Sequence, residues 1–182
     1  ISAVSSKTQT TRSQVMAVKT VGNLQIVFVD TPGIPKPSEQ RIVPKGLDEA
    51  IWGSCSSADL IIYVVEMAKR SVELDLQKLK RICDDYSQPT VALVLNKIDK
   101  TNEDYIKKFQ QKFIDAFPSR ISRVFHTVGM SGPTLKPLLD FIVSSGIPRA
   151  WEYPPINDAL LSKNEKAIEI IRDKIFKRSN QE

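Results

Sequence analysis

Asn96-Lys97-Ile98-Asp99 has the residue types needed to recognise a guanine base. The Asp99 carboxylate can accept two hydrogen bonds, from N1 and from the 2-amino group of guanine, a donor pair that adenine lacks. A site that relies on such polar groups rejects a base that leaves them unpaired, so the discrimination is steep. Asn96 can hold its loop and reach the purine N7, while the stem of Lys97 can lie across the base plane. A second string, Asp30-Thr31-Pro32-Gly33 followed by Ile34, suits phosphate and metal. Asp30 would reach a magnesium ion through water, because that cation keeps much of its hydration. Gly33 lets the backbone approach closely enough for its N–H to meet a terminal phosphate. Either string alone is an ordinary polar turn. Together, in this order and at strand ends, they specify a guanine-nucleotide site.

The elements that would position them can be read from the apolar pattern. Each string follows a run that reads as a buried strand, 24–29 before Asp30 and 91–95 before Asn96. In an open α/β sheet, ligands bind beyond the carboxyl ends of the strands. Residues 14–21 and 24–30 predict an antiparallel pair turning at Gly22-Asn23. A proline-containing stretch, 33–41, reads as a mobile loop. Helices are expected over 44–57, 72–86, 103–117 and 134–144, alternating with strands over 59–65, 90–95 and 122–127. That alternation implies an α/β fold, a mostly parallel sheet with helices on both faces.

Composition sets the remaining bounds. A chain of 182 residues with 41% hydrophobic content can bury one good core, so one domain and an appendage are expected. The net charge of +5 suits an RNA-bound protein only weakly, since a solvated basic surface explains it nearly as well. Lys163, Lys166, Arg172, Lys174, Lys177 and Arg178 concentrate positive charge near the end of the chain. Cys55 and Cys83 lack metal-ligand spacing and read as reduced residues in or near the core. His126, the single histidine, reads as a strand residue and not a catalyst. No segment has the length and apolarity of a membrane span.

With the two strings in place, the chain resembles the Era-type GTPases over most of its length. The string Ile1-Ser2-Ala3-Val4-Ser5-Ser6-Lys7-Thr8-Gln9-Thr10-Thr11-Arg12 looks like their switch I, Asp30-Thr31-Pro32-Gly33-Ile34 like the entry to switch II, and 58–65 like the following core strand. The resemblance implies GTP and GDP as ligands, with Asp30, Thr31, Pro32, Gly33, Ile34, Asn96, Lys97, Ile98, Asp99, Val128 and Gly129 in the nucleotide site. It implies Mg2+ held by Thr11 and, through water, by Asp30. Where the family usually has Ser-Ala in its last guanine-binding loop, this chain has Val128-Gly129, which keeps the backbone donor and loses the hydroxyl. Ile34 stands where Ras-like enzymes orient water with glutamine, and an apolar side chain cannot do so; no catalytic residue is assigned. Trp151-Glu152-Tyr153-Pro154-Pro155 and Ile170-Ile171-Arg172-Asp173-Lys174-Ile175 resemble the linker and first helix leading into the family's RNA-binding KH domain. One helical segment is expected there, including Ala159, Leu160 and Leu161. The implied domains are an incomplete G domain over 1–147, a linker over 148–157 and the start of a KH-like domain over 158–182.

The tryptophan in the linker resembles the mitochondrial Era-like branch, so the mitochondrial matrix is the expected location, with bacterial cytoplasm as the alternative. The resemblance further implies a small-subunit ribosomal RNA chaperone that acts on the assembling small ribosomal subunit, as a monomer. No Gly-x-x-x-x-Gly-Lys-Ser/Thr phosphate loop occurs in residues 1–182. In the family that loop lies just before the segment corresponding to Ile1, so truncation is the expected reason. The alternative is a nucleotide-free pseudo-GTPase that docks on ribosomal RNA or protein.

Overall fold

Gly22 and Asn23 make a two-residue turn between β1 (Val15–Val21) and β2 (Leu24–Asp30), with Val21 paired to Leu24 and Val15 to Asp30. Gly22 has φ of +56°, and Asn23 does not share a positive value, the pattern of a type II′ hairpin turn. This computed structural model describes residues 15–31, 53–69, 71–86, 89–129, 131–155, 158–162, 164–168 and 170–171. The expected switch I string with Thr11, the residues Pro32, Gly33 and Ile34, the loop 33–41 and most of the helix expected over 44–57 lie outside the described residues. The described part of that last segment, 53–57, is helical. The chain divides into two compact units, residues 1–54 with 146–182, and residues 55–145.

In the first unit, β1 is sandwiched between β2 and a short β6 (Asp158–Ala159) that pairs with Ala17 and Val18. All the pairings are antiparallel. The segment before β6 is stitched to the hairpin. The Gln25 side chain donates to the Tyr153 carbonyl at 2.8 Å and accepts from the N–H groups of Glu152 and Tyr153 at 3.1 and 3.0 Å. Trp151 Nε1 donates to the Asn23 carbonyl at 3.1 Å. The helix expected to include Ala159 is therefore corrected: Asp158 and Ala159 are strand, and the first described helical residue after them is 164. The cause is local. Ser162 N–H donates to Glu165 Oε2 at 2.8 Å and Glu165 N–H to Ser162 Oγ at 3.3 Å, a reciprocal capping box that starts a helix here and not earlier.

The second unit is built on a parallel sheet in the order β3 (Leu60–Glu66), β4 (Thr90–Asn96), β5 (Ile121–Thr127). Its connections are α1 (Glu73–Asp85) and α2 (Glu103–Ala116), and α3 (Gly132–Ser144) follows β5. Val91 to Leu95 are all buried, as a central strand with an unbroken apolar run should be. Each helix contributes a stripe: Leu79 and Ile82 from α1, Ile106, Phe109 and Phe113 from α2, Leu138 and Ile142 from α3. Asn102 caps α2 by accepting from Tyr105 N–H at 2.8 Å, and Glu103 and Asp104 complement the helix dipole.

The strands β1 to β5 fell within a residue or two of expectation, but one feature of β5 did not follow from the pattern. Val91 pairs with Ile121 and Ala92 with Arg123, so Ser122 is skipped and the register shifts by one. The Ser122 hydroxyl donates to the Val91 carbonyl at 3.0 Å beside the irregularity.

Leu93 is fully buried at the centre of β4. Leu93→Ala is expected to lower stability by about 2–5 kcal/mol, as buried leucine truncations do. Denaturant unfolding of the variant, compared with Val64→Ala on the exposed face of β3, checks this; equal stability of the two would contradict the assigned core.

Candidate functional site

The carboxyl end of the parallel sheet places three polar residues on one rung. Glu66 pairs with Asn96, and Asn96 with Thr127. Each ends its strand, where the apolar run stops and the chain turns out of the sheet. The backbone then leaves β4 sharply. Lys97 has φ 59° and ψ 40°, the left-handed conformation, and is the single non-glycine residue of positive φ among the described residues. A lysine held there is strained, and such strain collects at ligand sites. The turn continues into a short 3-10 segment, Ile98–Lys100, closed by Lys100 N–H to the Lys97 carbonyl at 3.0 Å.

This turn presents the side chains that the sequence singles out. Lys97 Nζ lies 2.7 Å from Glu66 Oε1, an ion pair with both partners half exposed. Asp99 keeps 40% of its side chain exposed and has Lys100 Nζ 3.5 Å from its Oδ2. Pairs of this exposure contribute little to stability, at most about 1 kcal/mol. Their value here is to keep charged groups at the mouth of the turn.

The loop after β5 faces the same turn. Gly129 N–H donates to Asn96 Oδ1 at 3.0 Å, and Thr127 Oγ1 donates to the same oxygen at 3.1 Å. The loop is in turn fastened by Thr134, whose hydroxyl accepts from Val128 N–H at 3.0 Å. Its single proton is shared between the carbonyls of Ser131 and Val128, at 2.9 and 3.2 Å. Ser131 N–H closes the loop onto the Val128 carbonyl at 2.7 Å.

Of the residues expected from the sequence, Asn96, Lys97, Ile98, Asp99, Val128 and Gly129 thus converge at one end of the second unit. Asp30 and Thr31 stand at the end of β2 in the first unit. Pro32, Gly33, Ile34 and Thr11 lie outside the described residues. Three residues of the site were not singled out: Glu66, Thr127 and Thr134. The register that sets Glu66 and Thr127 beside Asn96 has no local signal except Ser122, a short hydroxyl residue inside a strand. His126 lies in β5, and its Nε2 is 2.7 Å from Gln110 Oε1 at the surface.

This α/β unit, with a polar turn after a central parallel strand, has the form of a P-loop GTPase-like domain, and comparison with known proteins agrees. Residues 1–97 match the family described as 50S ribosome-binding GTPase. The chain belongs to that family. It is 32% identical over 182 residues to GTPase Era of Mesorhizobium japonicum, covering all of this chain and 57% of that protein. GTPase Era of Rhizobium meliloti is 31% identical over the same length, with 56% of it covered. The chain therefore spans a little over half the length of these relatives. A crystal structure of Era in complex with MgGDPNP and nucleotides 1506–1542 of 16S ribosomal RNA superposes with a TM-score of 0.83 at 26% identity, over 96% of this chain and 58% of that one. The α/β fold is that of P-loop GTPases.

Gly129 is not required by its backbone. Its φ is not positive, and a Cβ there would meet the Asn96 amide at 3.5 Å, an ordinary contact. Gly129→Ala, which introduces the alanine the family usually has, is expected to change stability by no more than about 0.5 kcal/mol. Thermal unfolding tests it, and a loss several times larger would show that the loop packs more tightly on Asn96 than these distances indicate.

Proposed function

We propose that residues 1–182 are the guanine-recognising part of an Era-type GTPase that binds GTP and GDP and chaperones small-subunit ribosomal RNA during ribosome assembly. The observation that carries the nucleotide reading is the Asn96 amide. Both lone pairs of its oxygen accept hydrogen bonds from Thr127 and Gly129, so Nδ2 is left as the donor suited to the purine N7. Asp99, on the same turn, would accept from N1 and the 2-amino group of guanine, and the Lys97 stem would cover the ring. Val128 and Gly129 close the base side from β5.

The phosphate side rests on Asp30, Thr31, Pro32, Gly33 and Ile34. Asp30 is a carboxylate at the carboxyl end of a strand, a fitting donor for a hydrated divalent cation. With Thr11, Asp30 would hold magnesium, which neutralises phosphate charge when bound. Ile34 offers no proton acceptor, so hydrolysis in this reading depends on loop closure, the cation or a partner, and no residue of the chain is assigned as its catalytic group.

Ribosomal RNA as partner is supported by the Era–16S ribosomal RNA complex among the structural relatives, and by the basic composition. Trp151-Glu152-Tyr153 supports the mitochondrial Era-like branch and a place in the mitochondrial matrix. It resembles that branch's linker, and both Trp151 and the backbone of Tyr153 are fastened to the β1–β2 hairpin. Helical residues 164–168 and 170–171 fit the start of a KH-like domain over 158–182, after a G domain over 1–147.

The test is equilibrium titration of the protein with its natural flanking sequence. Wild type is expected to bind GDP and GTP and to exclude ADP. Asp99→Asn should weaken GDP by about 100-fold or more and gain affinity for xanthosine diphosphate, whose 2-oxo group matches the new amide donor. Failure of both proteins to bind any purine nucleotide would replace this reading with a nucleotide-free module that docks on ribosomal RNA or protein.

A further inference from the structure

Thr127 is a polar residue that the guanine-binding reading leaves without a task. It is 1% exposed, among the most deeply buried side chains of the described residues, and too enclosed to touch a base itself. Its hydroxyl must find a partner within the protein, because burying it unpaired is costly. The partner is Asn96 Oδ1, at 3.1 Å.

The chemistry of the second bond to that oxygen fixes what the first one does. A backbone N–H can only donate, so the amide atom that accepts from Gly129 must be the oxygen. The Thr127 proton then fills the remaining lone pair. With both lone pairs filled from the β5 side, the amide cannot turn over without breaking two hydrogen bonds. Nδ2 is left as the amide's free donor, and it donates to nothing among the described residues.

Thr127 owes its place to the irregularity in β5. Had the pairing run on from Val91 and Ile121 without a skip, His126 would stand opposite Asn96, and a one-residue slip sends alternate side chains to the other face. Skipping Ser122 brings Thr127 onto the rung instead, while His126 stays exposed.

We infer that Thr127 is a positioning residue for base recognition: its hydroxyl orients the Asn96 amide so that Nδ2 points at the purine N7. This rests on the guanine-site reading above. It also explains how the loop functions with Val128 in place of a hydroxyl residue. The hydroxyl that steadies this loop comes from one position earlier, inside the strand, and Thr134 fastens the loop from the other side.

The test pairs a substitution with a change in the ligand. The full-length protein is titrated with GDP, with 7-deaza-GDP, in which carbon replaces N7, and with xanthosine diphosphate, for wild type, Thr127→Val, Thr127→Ser and Asp99→Asn. Wild type is expected to prefer GDP by about 10-fold, the effect of one well-formed hydrogen bond. Thr127→Val should weaken GDP by about 5- to 10-fold, leave 7-deaza-GDP within about twofold, and so bring the ratio near one. Thr127→Ser, which keeps the hydroxyl, should restore the ratio. A purely structural role would weaken both ligands equally or change only stability, and that outcome overturns the inference. So does a full GDP preference in Thr127→Val, or no preference in wild type. Should Thr127→Val fail to fold, Thr127→Ala serves for the same comparison, since the ratio is read on folded protein. Asp99→Asn separates the two levels: if it fails to turn the protein toward xanthosine diphosphate, the guanine site itself is wrong. If it succeeds while the Thr127 ratios do not move, only the role of Thr127 falls.

Discussion

The side-chain oxygen of Asn96 accepts hydrogen bonds from the last residue of β5 and from the loop beyond it, and the geometry of the carboxyl end of the sheet depends on that double acceptance. Without it, the turn after β4 and the loop after β5 would be two separate surface segments. With it, they form one wall. The Asn96 backbone adds a third link, since its carbonyl accepts from Met67 N–H at 2.8 Å just past the end of β3. Three parallel strands are thereby tied at the edge where side chains leave the core. The apolar sheet supplies rigidity behind this edge, and Leu93 and Leu95 have no exposure to lose. A ligand site needs such a frame, because a shift of an ångström in a polar group costs much of its selectivity.

The strain at Lys97 belongs to the same arrangement. A left-handed lysine costs about 1 kcal/mol or more relative to a relaxed backbone. It allows the chain to reverse within one residue, so that Asn96 points along the rung while Asp99 is carried outward on the 3-10 segment. The ion pair between Lys97 and Glu66 steadies the lysine stem across the mouth of the turn. In the other unit a single amide also organises a junction. Gln25, on β2, uses both ends of its side chain to hold the backbone at Glu152 and Tyr153. The strand that ends at Asp30 and the segment at Glu152 and Tyr153 are thus fastened to one another.

Much of this was legible in the sequence because it is written in periodicity and turn chemistry. Unbroken apolar runs marked β3 and β4, Gly22-Asn23 marked the hairpin, and the two polar strings fell at strand ends. What was not legible depended on pairing at a distance. Ser122 is unremarkable as a strand residue until its hydroxyl is seen at the Val91 carbonyl, and only then does Thr127 come to stand beside Asn96. The helix near the end of the chain was misjudged for a different reason. The apolar residues Ala159, Leu160 and Leu161 suggested helical continuity, whereas the Ser162–Glu165 capping box sets the start and frees Ala159 to pair with Ala17. A local signal was present there and was outweighed by a looser pattern.

Nuclear magnetic resonance of the Asn96 side-chain amide, in full-length protein labelled with nitrogen-15, tests the central claim most directly. Adding GDP should shift the Nδ2 protons of Asn96 together with the Gly129 amide, while ADP at the same concentration leaves both in place. Unmoved Asn96 and Gly129 resonances with GDP bound, or equal shifts with ADP, would contradict a guanine site at the ends of β4 and β5.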